Sequence, residues 1–141
     1  MQRRQRRGSN IIEFALLLPV FWLIIAGSMD LGWYLTHQAA LDDAVNRGCR
    51  AGALVDPGDS EVNVDGVVTG AELGMLAAMA RSPAGECDGD CDMTVELFGD
   101  PPQRSIQCTA TRPFTPLLGV VLSESVMTSG TVAMMEWQRW P

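Results

Sequence analysis

The chain has 141 residues, 47% of them hydrophobic, and a formal net charge of -7. This length suits one small domain plus a membrane segment and excludes two independently folded cores. Four of the ten arginines (Arg3, Arg4, Arg6, Arg7) precede Gly8, and removing them from the total leaves -11 on the rest, which argues against nucleic acid or another polyanion as a partner.

The first element is apolar. Ile11 to Met29 reads IIEFALLLPVFWLIIAGSM, nineteen residues with one charge, about the length that crosses a ~30 Å hydrocarbon core as a helix. We assign residues 9–30 to a transmembrane helix and 1–8 to a basic leader. A secretory signal cut near Ala26-Gly27-Ser28 is the competing reading. Trp22, Glu13 and the helical pattern that follows fit it poorly. Arginines flanking a first span are retained in the cytoplasm, so the acidic remainder, residues 31–141, is expected outside the membrane. Trp33 and Tyr34 fall just past the apolar run, where their rings would either mark the outer headgroup layer or pack on the domain.

Glu13 is the anomaly. A carboxylate inside an apolar helix costs about 2.5 to 3.5 kcal/mol at mid-membrane and less near the end, so a partner is expected. Cleavage after Gly8 would give Ser9 a free α-amino group, mostly cationic at neutral pH. An axially offset neighbouring subunit could then bring its amine to this carboxylate and set subunit register. Alternatively, Glu13 lies near enough to the helix start to reach the cytoplasmic headgroups among the arginines. Pro19, inside the span, removes a helix donor and crowds the preceding turn, and is expected to bend the helix.

The string RRQRRGSNIIEFALLLPVFWLIIAGSMDLG resembles the start of TadE-like proteins, minor pseudopilins of tight-adherence (Flp-type) pili. The resemblance implies cleavage between Gly8 and Ser9 by a prepilin peptidase. It also implies a Glu-Phe-Ala-Leu-x-x-Pro stretch carried by Glu13, Phe14, Ala15, Leu16 and Pro19. Ser9 departs from the phenylalanine that usually begins type IV pilins, which moves the likeness toward the TadE-like minor class. The small-residue segment Ala39 to Ala53 and the closing Val126 to Glu136 segment extend it weakly.

Beyond the membrane, Leu31, Leu35, Ala39, Val45, Cys49 and Ala53 recur mostly at three- and four-residue spacing, which continues one long helix over 31–54. Asp56-Pro57-Gly58-Asp59 ends it with turn residues, and the Gly-, Asp- and Val-rich stretch to Gly70 reads as a loop, with room for a short strand. Ala71 to Ala80 reads as a short helix stopped by Ser82-Pro83, its Met75 and Met79 serving packing rather than metal. Alternation through Met93, Val95 and Leu97, then through Ile106, Cys108 and Ala110, predicts an antiparallel hairpin. Pro113 and Pro116 close its second strand, Leu117 to Leu122 is an apolar link, and Ser125 to Met135 supplies a third strand. The expected class is α+β and type IV pilin-like: a long N-terminal helix on a small antiparallel sheet of about three strands, with one short extra helix.

Cys49, Cys87, Cys91 and Cys108 lie on the side expected to be oxidising, and four cysteines allow three pairings. The favoured one joins Cys87 to Cys91 in a small loop and Cys49 to Cys108 between helix and sheet. The second bridge closes a loop large enough to be worth about 4 kcal/mol. Zinc is disfavoured because paired C-x2-C spacing is missing. Asp88-Gly89-Asp90-Cys91-Asp92 reads as a solvated acidic turn, since the twelve-residue calcium loop and its terminal glutamate are not there. His37 is the only histidine, and no phosphate loop, nucleotide fingerprint or nucleophile elbow is found. An enzyme is not expected, nor a cofactor. Trp137 and Trp140 could pack at a strand end or form a contact patch.

The expected function is therefore structural: a minor pilin or pseudopilin in the inner membrane, cleaved after Gly8 and packed through its helix, supporting pilus assembly and adhesion. Its expected partners are the prepilin peptidase, other pilins, the inner-membrane assembly platform and membrane lipid. The alternative is an unprocessed single-pass accessory protein of a pilus or secretion machine that binds assembly components through its ectodomain. An extracytoplasmic metal-binding or enzymatic domain with an incidental anchor is the weakest reading.

Overall fold

Forty-eight residues, Arg6–Ala53, form one α-helix, α1. The computed structural model describes residues 6–55, 64–82, 85, 87, 89–99 and 104–135, with backbone alone for 6–10 and 64. After α1 come α2 (Val64–Met79), β1 (Asp92–Phe98), β2 (Ser105–Phe114) and β3 (Ser125–Met134). The strands make one antiparallel sheet in the order β1-β2-β3. This is the α+β, pilin-like layout that the residue patterns and the resemblance led us to expect.

The chain divides into two packing units. One comprises Met1–Tyr34 with Thr115–Glu124, and the other Leu35–Phe114 with Ser125–Pro141. In the second unit, α1 buries Leu41, Ala44, Val45, Gly48, Cys49 and Gly52, a stripe at alternating three- and one-residue steps. That stripe is what a 3.6-residue period turns toward a core. α2 answers with Val67, Ala71, Met75 and Met79, four residues apart. β2 contributes Ile106, Cys108 and Ala110 by alternation, opposite Leu97, Val95 and Met93 of β1. The Cys49–Cys108 disulfide ties α1 to β2, and Cys87–Cys91 closes a short loop before β1.

Small residues let the two helices approach. A Cβ at Gly48 would overlap Met75 and come within 2.7 Å of the Ala71 carbonyl oxygen; one at Gly52 would come within 2.7 Å of the Ala71 Cβ. From the α2 side, a Cβ at Gly74 would stand 3.0 Å from Gly48 Cα. Both helices thus carry glycines four apart, Gly48/Gly52 and Gly70/Gly74, at their crossing.

Two expectations are corrected. The stretch to Gly70 is not all loop: α2 begins at Val64, seven residues before Ala71. β-Branched valines and two glycines hide the helix from a propensity argument. Asp65 in the first turn and Val67 against Gly52 favour it instead. Pro113 does not close β2, which continues to Phe114. β1 pairs no residue past Thr111, so at Pro113 only β3 is alongside, through Val126, and the missing amide is tolerated as on an edge strand. The turn expected at Asp56-Pro57-Gly58-Asp59 and the closing residues Glu136, Trp137 and Trp140 lie outside the described residues.

Candidate functional site

An apolar helix surface with no covering layer is the most unusual feature of the molecule. Ile11, Ile12, Phe14, Leu16, Leu17, Phe21, Trp22 and Ile24 are each at least 64% exposed. They occupy every side of the helix, so among the described residues no amphipathic face of this segment is turned to a core. This helix is long and apolar enough to cross a membrane. Glu13 lies one turn into that surface, exposed, and is its single charge between Ile11 and Met29. Pro19 is inside α1, and the helix is assigned without a break through it. Gly8 and Ser9 belong to the first turns of α1, where the backbone alone is described.

At the far end of the apolar run the helix acquires a partner. Asp30 is fully buried: its Oδ1 accepts from the Leu118 amide at 2.8 Å and its Oδ2 from the Val120 amide at 3.3 Å. Buried carboxylates persist when hydrogen-bond donors replace water, and two backbone N–H groups do that here. Between those donors Gly119 takes a φ of +65°, a conformation glycine adopts without penalty. Three residues earlier on α1, Gly27 leaves room for Val121, whose Cγ2 would stand 3.1 Å from an added Cβ. Ala26 is buried at the same level. The link 115–124 is therefore held along the last turns of the apolar segment.

Sequence reasoning missed Asp30. Its signal was an acidic residue directly closing an apolar run, and the distant 117–122 link that consumes its oxygens gave no local cue.

His37 is half-buried and meets Phe114 edge to face, with ring centroids 5.9 Å apart. Burial, and secondarily the Arg112 guanidinium, holds its imidazole below the ordinary histidine range. Gln38 Nε2 donates to the Thr128 carbonyl oxygen of β3 at 3.4 Å. The edge-to-face contact packs His37 of α1 against the end of β2. Trp33 and Tyr34 are half-buried.

The cysteines are all bonded, as Cys49–Cys108 and Cys87–Cys91. Cys87 Sγ also lies 3.0 Å from Met79 Sδ, which places the short loop against the end of α2. Asp90 and Asp92 are exposed, while Asp88 lies outside the described residues. Among the described residues no three His, Cys, Asp or Glu side chains converge as a metal site would require.

The helix just described is also where the chain matches a known family. Residues 8–50 match the model of the TadE-like protein family. The match takes in Gly8, Ser9, Glu13, Phe14 and Pro19 and runs through most of α1, and it stops short of α2 and the sheet. No curated protein and no solved structure matches the chain.

Proposed function

We propose, for a chain that is TadE-like from residue 8 to residue 50, that it acts as a minor pilin or pseudopilin of a Tad/Flp-type pilus. In this reading the arginine-rich leader stays cytoplasmic, residues 9–30 span the inner membrane, and the disulfide-bonded domain is extracytoplasmic. A prepilin peptidase cuts between Gly8 and Ser9. The helix then leaves lipid for a bundle of other pilin helices at the assembly platform.

The observation that carries the proposal is the all-round exposure of α1 from Ile11 to Ile24. A surface of that kind is stable in lipid or among like helices and costly in water. A pilin needs both environments in turn. Glu13 supplies direction to the second: in lipid its charge is expensive, and beside the Ser9 amine of a neighbouring subunit it is neutralised. Phe14, next to it, would pack between helices.

Intact mass and N-terminal sequencing of the membrane-extracted protein test the processing step. A chain beginning at Ser9 is the expected result. A retained arginine leader would instead favour the unprocessed accessory protein, and a start after Ser28 would indicate conventional signal removal.

A further inference from the structure

We propose that the β2–β3 link, residues 115–124, is a second membrane-contacting element that seats Leu117, Leu118, Val120 and Val121 in the outer-facing leaflet beside α1. The proposal rests on the reading of α1 as a membrane span.

From Thr115 to Ser123 the sequence TPLLGVVLS carries no charge. Its aliphatic side chains stay largely uncovered: Leu117, Leu118, Val120 and Val121 are between 48% and 61% exposed. Four neighbouring aliphatic side chains left in water form the kind of patch that marks a protein or membrane contact. The position of the link on α1 selects the membrane. It is fastened at Gly27 and Asp30, in the last turns of the apolar run, and Met29 on the same stretch is exposed. Asp30 lies seventeen residues beyond Glu13, about 25 Å along the helix axis, which is close to where a span leaves a ~30 Å core.

The hydrogen bonds fit the same depth. Irregular backbone is tolerated at the edge of hydrocarbon only if its polar groups find partners. The Leu118 and Val120 amides, the two flanking Gly119, both donate to the Asp30 carboxylate. A single acidic residue at the end of the span thus makes the tip of the link compatible with lipid, and the tip in turn removes that carboxylate from it. Lipid, rather than a second subunit, is the occupant assigned because the exposed side chains continue the surface of the span itself.

A photoreactive benzophenone side chain, placed in turn at Leu117, Val120, Ile24 and Glu96 of the full-length protein in phosphatidylethanolamine–phosphatidylglycerol vesicles, tests this. Ile24 reports the span and Glu96 the exposed sheet. The expected result after irradiation is a phospholipid mass adduct at Leu117, Val120 and Ile24 and none at Glu96. An adduct at Ile24 with only protein cross-links, or none, at Leu117 and Val120 overturns the proposal while leaving the span intact. No adduct at Ile24 removes the span, and the link's role with it. In the Asp30→Ala background, lipid adducts at Val120 are expected to fall to the Glu96 level with Ile24 unchanged; an undiminished Val120 yield would overturn the role given to Asp30.

Discussion

Gly48 of α1 and Gly74 of α2 meet with no side chain between them: a Cβ at Gly74 would stand 3.0 Å from the Gly48 Cα. The reciprocal test is harsher, because a Cβ at Gly48 would lie 2.7 Å from the backbone nitrogen of Met75. The crossing of the helices is therefore set by backbone contact, and it cannot absorb a methyl group without moving a helix. Replacing glycine with alanine inside a helix ordinarily gains about 1 kcal/mol of helix propensity. Here overpacking, about 1 to 3 kcal/mol, outweighs it. Gly48→Ala is expected to lower the urea midpoint and Gly48→Leu to prevent a cooperative transition. Gly32→Ala, where an added Cβ meets nothing within 4 Å, is expected to leave stability unchanged or raise it.

The two disulfides should differ in worth. Cys49–Cys108 spans 59 residues and Cys87–Cys91 only 4. In the chain-entropy account the long loop contributes about 4 kcal/mol and the short one about 2 kcal/mol. Urea unfolding of the paired alanine variants in detergent, followed by circular dichroism, should rank them in that order. Equal losses would mean that strain or residual structure in the unfolded chain dominates.

His37 should make the domain acid-sensitive. Its folded pKa is lowered, first by burial and then by Arg112, so on acidification the unfolded chain takes the proton earlier, near pH ~6.5. Stability from the neutral ring is fully present above that pH. It declines between it and the lowered folded value, where the unfolded state binds more protons. The unfolding midpoint should fall with pH through this window, and His37→Gln should flatten the slope.

Glu13→Ala should leave processing at Gly8 largely intact while reducing incorporation into pili, measured as the ratio of sheared to membrane-bound protein. Undiminished incorporation would remove the register role from this carboxylate.

Pro19→Ala restores a helix donor and relieves a clash with the preceding turn, a change of about 3 kcal/mol in favour of a straight helix. If assembly uses a bend at Pro19, this variant should be membrane-inserted normally yet assemble altered or fewer pili. Normal pili would show that the bend is dispensable.

Much of the architecture was readable because it rests on local periodicity. The alternation of Ile106, Cys108 and Ala110 appears in the structure as a buried face, whereas of the stripe expected on α1 only Val45 and Cys49 are buried, Leu31, Leu35 and Ala39 being exposed and Ala53 half-buried. α2 was read seven residues short because its stripe, Val67-Ala71-Met75-Met79, is made partly of residues with little helix preference. Its first turns are held by contact with Gly52, and contact between distant segments leaves no periodic trace.

The sequence by itself determined the membrane-length helix, its single internal charge at Glu13, the α+β order of elements and the TadE-like start, because each is a property of neighbours along the chain. Only the tertiary structure decided what Asp30 and the 115–124 link do. The hydrogen bond from Leu118 joins residues 88 apart, and nothing in either segment alone shows that a carboxylate and two amides will meet. The same holds for Gly48 and Gly74: a glycine's value there lies in the backbone that comes to occupy the space beside it, which is a fact of packing rather than of composition.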